Sequence, residues 1–80
     1  MYARPERPKR IAPKLKAIRK RLGVSQTGMQ HILKLNGYYY RISEYERGKR
    51  IPTMPTLLKY ARAGKVPLEQ IVDDELELRF

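Results

Sequence analysis

The chain has 80 residues, no cysteine and a formal net charge of +10, which allows one small domain and excludes disulfides and thiolate metal sites as props. No apolar run approaches the roughly 18 residues needed to cross a bilayer, and the basic N-terminus has no apolar core of a secretory signal, so a cytoplasmic protein away from membranes is expected. Residues 1–68 hold 17 Lys/Arg against three acids, a net +14, while residues 69–80 hold one against five, a net −4; a body this basic repels itself and is relieved by a polyanion.

Residues 1–12 read as a flexible basic arm. MYARPERPKR contains two prolines, four cations and little to bury. Such an arm either reaches into a DNA minor groove or is a plain leader.

Residues 13–73 read as the folded domain. The first helix is predicted from Pro13, which suits a first turn. Leu15, Ile18 and Leu22 make its apolar stripe, and Gly23 stops it. Lys14, Lys16, Lys20 and Arg21 fall away from the stripe. Arg19 lies beside it, so it is partly buried and needs a partner.

Ser25 is a good N-cap for the second helix, predicted over Gln26 to Leu35, with Val24 stapling onto Met29. Met29, Ile32 and Leu33 are its apolar residues. Gly28 inside it implies close approach of another backbone. His31 is the single histidine and reads as an exposed helix residue rather than a metal ligand or a base.

Asn36-Gly37 signals a turn, and the third helix is predicted over Tyr38 to Glu46. With Ile42 turned to the core, Tyr38, Tyr45 and Glu46 face inward. Tyr40, Glu44 and Arg47 face outward with Ser43 beside them, Tyr39 sits on the border, and Arg41 lies on the other flank. Glu46 is then the natural partner of Arg19. Gly48 ends the helix, Lys49 and Arg50 follow in a loop, and Pro52 and Pro55 keep that loop extended.

The fourth helix is predicted from Pro55 or Thr56 to Ala63, burying Leu57, Leu58, Tyr60 and Ala61, with Gly64 as its stop. Pro67 opens a short fifth helix with Leu68, Ile71 and Val72 apolar. Residues 74–80 form an acidic tail. Its Leu76-Glu77-Leu78-Arg79-Phe80 alternation has the period of a strand, and frayed coil or a partner-binding segment suit it equally.

From Leu15 to Val72 these residues resemble the lambda-repressor-like (Cro/Xre) helix-turn-helix domains. The resemblance is carried by Arg19, by Gly23-Val24-Ser25-Gln26, by Ile42 with Glu46-Arg47-Gly48-Lys49-Arg50, and by Pro52 followed by Leu57-Leu58. Two departures stand out. Met29-Gln30 replaces the usual Leu-Ala, and Ser25 to Glu46 is about two residues longer, the excess falling around Lys34 to Gly37. The resemblance implies an all-α, compact five-helix domain. It also implies an Arg19–Glu46 ion pair, in agreement with the facing argument.

For function it implies a sequence-specific regulator of transcription, a repressor, whose third helix enters the major groove of double-stranded DNA. Tyr39, Tyr40, Ser43 and Glu44 then read bases. Glu44 accepts from a cytosine amino group, and Tyr40 packs on a thymine methyl or bonds through its hydroxyl. Gln26 at the start of helix two, where free N–H groups favour an anion, and Arg41, Arg47, Lys49 and Arg50 contact phosphates. A homodimer through helix five and the tail is expected. Two other readings are an antitoxin whose acidic tail meets a basic toxin, and an interaction or RNA-binding adaptor on the same fold. An enzyme is not expected: one histidine, no cysteine and no Gly-rich phosphate loop supply no catalytic set, and no metal or cofactor is implied.

Overall fold

A computed structural model describes residues 8–35 and 40–80, and these form five helices and no strand. The helices are α1 (Ile11–Leu22), α2 (Gln26–Ile32), α3 (Tyr40–Glu46), α4 (Met54–Gly64) and α5 (Leu68–Val72). Each sends a large apolar side chain to one common centre. Leu15 and Ile18 come from α1, Met29 from α2, Ile42 from α3, Tyr60 from α4 and Ile71 from α5, all fully buried. Burying one such side chain favours folding by about 2 kcal/mol, so an 80-residue chain depends on all five helices meeting there. Helix α1 is the spine: it packs on α3, α4 and α5, while α2 packs on α3 and α4 on α5.

One device ends four of the five helices. After α1, Gly23 turns left-handed (φ 72°), its N–H donates to Lys20 O at 3.0 Å, and Val24 N–H donates to Arg19 O at 3.5 Å. After α2, Lys34 (φ 55°) donates to His31 O at 3.1 Å and Leu35 N–H to Gln30 O at 3.1 Å. After α3, Gly48 (φ 74°) donates to Tyr45 O at 3.2 Å and Lys49 N–H to Glu44 O at 2.9 Å. After α4, Lys65 (φ 57°) donates to Arg62 O at 3.3 Å and Val66 N–H to Ala61 O at 3.0 Å. These paired bonds are Schellman motifs, which satisfy carbonyls that a helix end otherwise leaves open. Three of them seat an apolar residue on the core directly after the turn: Val24, Leu35 and Val66. The one that ends α3 puts Lys49 there instead, and it is exposed.

Several expectations change. Helix α1 begins at Ile11, two residues before Pro13, because Ile11 is itself core at 5% exposure. Lys14 is buried (5%) rather than turned to solvent. Its Nζ donates to Asp73 O and Leu76 O, both at 2.8 Å, and burial holds its ammonium below the ordinary lysine pKa. Helix α2 stops at Ile32, since Lys34 adopts the left-handed turn, and Ile32 is exposed at 44% rather than apolar core. Gly28 is crowded by a side chain rather than a backbone: a Cβ there would meet Val24 Cβ at 3.2 Å and the capping Ser25 Oγ at 3.4 Å. Helix α4 runs one residue past its expected stop. Gly64 is its last residue, and Lys65 makes the turn. Asn36-Gly37 and Tyr38 lie outside the described residues.

The acidic tail folds back on the start of α1. The Asp74 carboxylate accepts Lys9 N–H at 2.8 Å and Arg10 N–H at 3.0 Å. The Arg10 guanidinium donates to Asp74 O and to Glu77 Oε2, each at 2.6 Å. Arg79 N–H donates to Gln70 Oε1 at 2.9 Å, and the Arg21 guanidinium sits 5.2 Å above the Phe80 ring. The alternating tail is therefore neither a strand nor unattached: Leu78 packs on the core while Leu76 and Phe80 stay exposed.

Candidate nucleic-acid interface

The candidate surface is built on α3 and the loop after it. Ile42 and Tyr45 anchor α3 in the core. Glu46 is the last residue of the helix, and its side chain is only 3% exposed. A carboxylate buried that far needs partners. Arg19 Nε donates to Glu46 Oε2 at 2.6 Å and Arg19 Nη2 to Glu46 Oε1 at 3.1 Å, a two-point match of guanidinium to carboxylate. Arg19 Nη1 also donates to Val24 O at 3.0 Å, in the turn that opens α2. This one arginine therefore ties the end of α3 to the junction of α1 and α2. The hydrogen bonds that Arg19 donates to Glu46 hold its guanidinium above its ordinary pKa, so it stays charged.

Gln26, the first residue of α2, joins the same network. Its Nε2 donates to Glu46 Oε1 at 3.2 Å, which leaves the amide oxygen and one N–H for other partners. Ser25 Oγ accepts Gly28 N–H at 2.9 Å and caps the helix. Charge and the Gln26 amide thus tie α2 and α1 to the end of α3, and the Ser25 cap fixes the start of α2. The Tyr60 hydroxyl lies buried beside this pair without a hydrogen-bond partner among the described residues, and desolvation pushes its pKa up.

The other sequence-predicted residues fall into four groups. Arg47, Lys49 and Arg50 are exposed together at the C-terminal end of α3. Ser43 and Glu44 are half-buried on α3, and Glu44 is bonded to Arg50: Arg50 Nε donates to Glu44 Oε1 at 3.1 Å. Arg41 is half-buried with its Nε enclosed, which sets it apart from the open cations. Tyr40 opens α3, and Tyr39 lies outside the described residues. His31 is exposed, and no three of His, Asp and Glu come together in metal-binding proximity among the described residues. No described helix is long and apolar enough to cross a membrane.

In the sequence, Glu44 and Arg50 look separate, one suited to bases and one to phosphate, and nothing in the helical period predicts their contact. They stand six residues apart, outside the three- and four-residue spacings that pair side chains along a helix. The signal is Gly48 between them, because a left-handed turn at a helix end brings the following residues back alongside the last turn.

A family model described as helix-turn-helix matches residues 41–71, from the second residue of α3 into α5. Among solved structures, the chain is similar to the P22 c2 repressor protein in complex with a synthetic operator. The TM-score is 0.70 at 20% identity, covering 80% of this chain and 94% of that one. It is also similar to a hypothetical transcription factor, NHTF, from Neisseria. There the TM-score is 0.68 at 21% identity, covering 89% of this chain and 86% of that one. No curated protein sequence matches the chain. The fold is accordingly the lambda-repressor-like helix-turn-helix fold, all-helical among the described residues.

Proposed function

We propose that this lambda-repressor-like domain is a sequence-specific double-stranded DNA-binding regulator of transcription, acting as a repressor by placing α3 in the major groove. The observation that carries the reading is the exposed trio Arg47, Lys49 and Arg50 at the end of α3, beside the half-buried Ser43 and Glu44. Cations gathered at one end of a helix can grip the phosphate backbone while the helix itself meets base edges. The net +14 over residues 1–68 supports a polyanionic partner. The operator complex of the structurally similar P22 c2 repressor supports duplex DNA as that partner.

In this reading Tyr39, Tyr40, Ser43 and Glu44 face bases, and Gln26, Arg41, Arg47, Lys49 and Arg50 face phosphates. Gln26 meets phosphate with the part of its amide that Glu46 leaves unused. The activity is binding, not catalysis. Two copies bind a two-fold site through α5 and the C-terminal segment, where Leu76 and Phe80 are exposed at 37% and 51%.

The test is selection from random duplex DNA at two salt concentrations. An enriched palindrome supports a dimeric, sequence-specific regulator. Tight but unselective binding with a steep salt dependence points instead to an architectural role. Lys49→Ala is expected to weaken binding evenly across sequences and to reduce the salt slope by about 1. An unchanged slope would remove Lys49 from the phosphate set.

A further inference from the structure

We propose that Arg50 is a specificity-determining positioning residue, which holds the Glu44 carboxylate so that α3 distinguishes one base pair. The inference rests on the major-groove reading of α3 above and deepens it.

The contact follows from how α3 ends. Gly48 is left-handed at φ 74°, and the Lys49 N–H closes back on Glu44 O at 2.9 Å. That bond brings the chain beyond Gly48 back beside the last turn of the helix. Arg50 Nε then donates to Glu44 Oε1 at 3.1 Å. The pair lies partly open, with side-chain exposures of 49% for Arg50 and 23% for Glu44. An ion pair this open contributes little to folding; its consequence lies in what it does to Glu44.

Two effects follow from the chemistry. First, a glutamate side chain has several free torsions, and a base contact requires one rotamer. The Arg50 bond fixes Oε1 and leaves Oε2 to accept from a cytosine amino group, the base edge that a carboxylate suits. Second, an isolated carboxylate entering the groove is repelled by phosphates. With Arg50 attached it enters as a neutral pair, and the two guanidinium nitrogens not engaged with Glu44 keep donors for the backbone. Arg50 thus touches phosphate as a cation and, through Glu44, biases a base. Arg47 and Lys49 stand on the same exposed edge, and among the described residues Glu44 forms no ion pair with either.

The experiment compares the full chain with Glu44→Gln, Arg50→Ala, the double variant and Arg47→Ala. Each is selected on random duplexes, then measured in competition on the wild-type site and on every single-base variant of it. Thermal midpoints are recorded alongside and are expected to match. Glu44→Gln and Arg50→Ala should each lower discrimination roughly tenfold at one and the same base pair, with the double variant no worse there than either single. Arg47→Ala should keep the wild-type preference at every position while losing affinity and salt slope. If Arg50→Ala keeps full discrimination and only binds more weakly, Arg50 is a phosphate clamp alone and the proposal is overturned. If the Glu44 and Arg50 variants act at different base pairs, or Glu44→Gln acts at none, it is overturned as well. Failure of the underlying reading looks different: the wild-type chain then enriches no site at all.

Discussion

Lys34 and Lys65 occupy the left-handed region at φ 55° and 57°, where a side chain crowds its own carbonyl. At the matching positions after α1 and α3, glycine does the same work without that crowding. The strain of a β-carbon there is of order 1 kcal/mol. Lys34→Gly and Lys65→Gly are therefore each expected to stabilise the domain by about 1 kcal/mol, measured by urea unfolding. Lys34→Ala and Lys65→Ala keep the β-carbon and should give no such gain, so an equal gain from alanine would show that charge, not strain, is being relieved. The lysine at 34 also accounts for why α2 ends earlier than its sequence predicts. A glycine stop is visible in a sequence, whereas a lysine in the same turn looks like one more helix residue.

At the scale of elements, the contact of α1 with α4 turns on one missing β-carbon. A Cβ built on Gly64 would lie 3.0 Å from Ile18 Cγ2 and 3.3 Å from its Cγ1. Ile18 is fully buried, and a β-branched side chain on a helix has essentially one rotamer, so it cannot swing aside. Alanine is the better helix former by about 1 kcal/mol, while overpacking costs about 1–3 kcal/mol. Overpacking outweighs the gain in helix propensity, and Gly64→Ala is expected to destabilise by about 1 kcal/mol in the same unfolding assay. A stabilised Gly64→Ala would mean that α4 can shift outward from α1. Seen in the sequence, Gly64 reads as a helix stop. Its actual role depends on what lies opposite, which is a residue 46 positions earlier in the chain.

Across the whole molecule, the two chain ends are joined by charge. Asp74 accepts the N–H groups of Lys9 and Arg10, and these bonds hold its carboxyl below the ordinary value of 3.8. The Arg10 guanidinium holds Glu77 below its ordinary 4.5 in the same way. A carboxyl with a lowered folded pKa stabilises the fold fully above its unfolded value and loses that contribution as pH falls through the folded value. Asp74→Asn is therefore expected to lower the thermal midpoint at neutral pH, while wild type and variant converge as pH drops below 3.8. A midpoint difference that persisted at low pH would show that the aspartate acts by shape rather than by charge. The opposite charges of the two ends are plain in the sequence, but their contact is not, because some 64 residues separate Arg10 from Asp74.

The sequence alone determined the helix count, the core residues Leu15, Ile18, Met29, Ile42 and Ile71 and the inward carboxylate of Glu46, because these depend on local period, caps and the cost of an unpaired buried charge. It also located the exposed cations after α3, since Gly48 and the residues around it mark the end of that helix. Tertiary structure alone decided the burial of Lys14, the role of Gly64, the docking of the tail on α1 and the bond between Arg50 and Glu44. Each of these is set by a neighbour brought close by a turn or by the packing of another helix. Periodicity assigns a residue to a face, and only the folded chain supplies what stands against it.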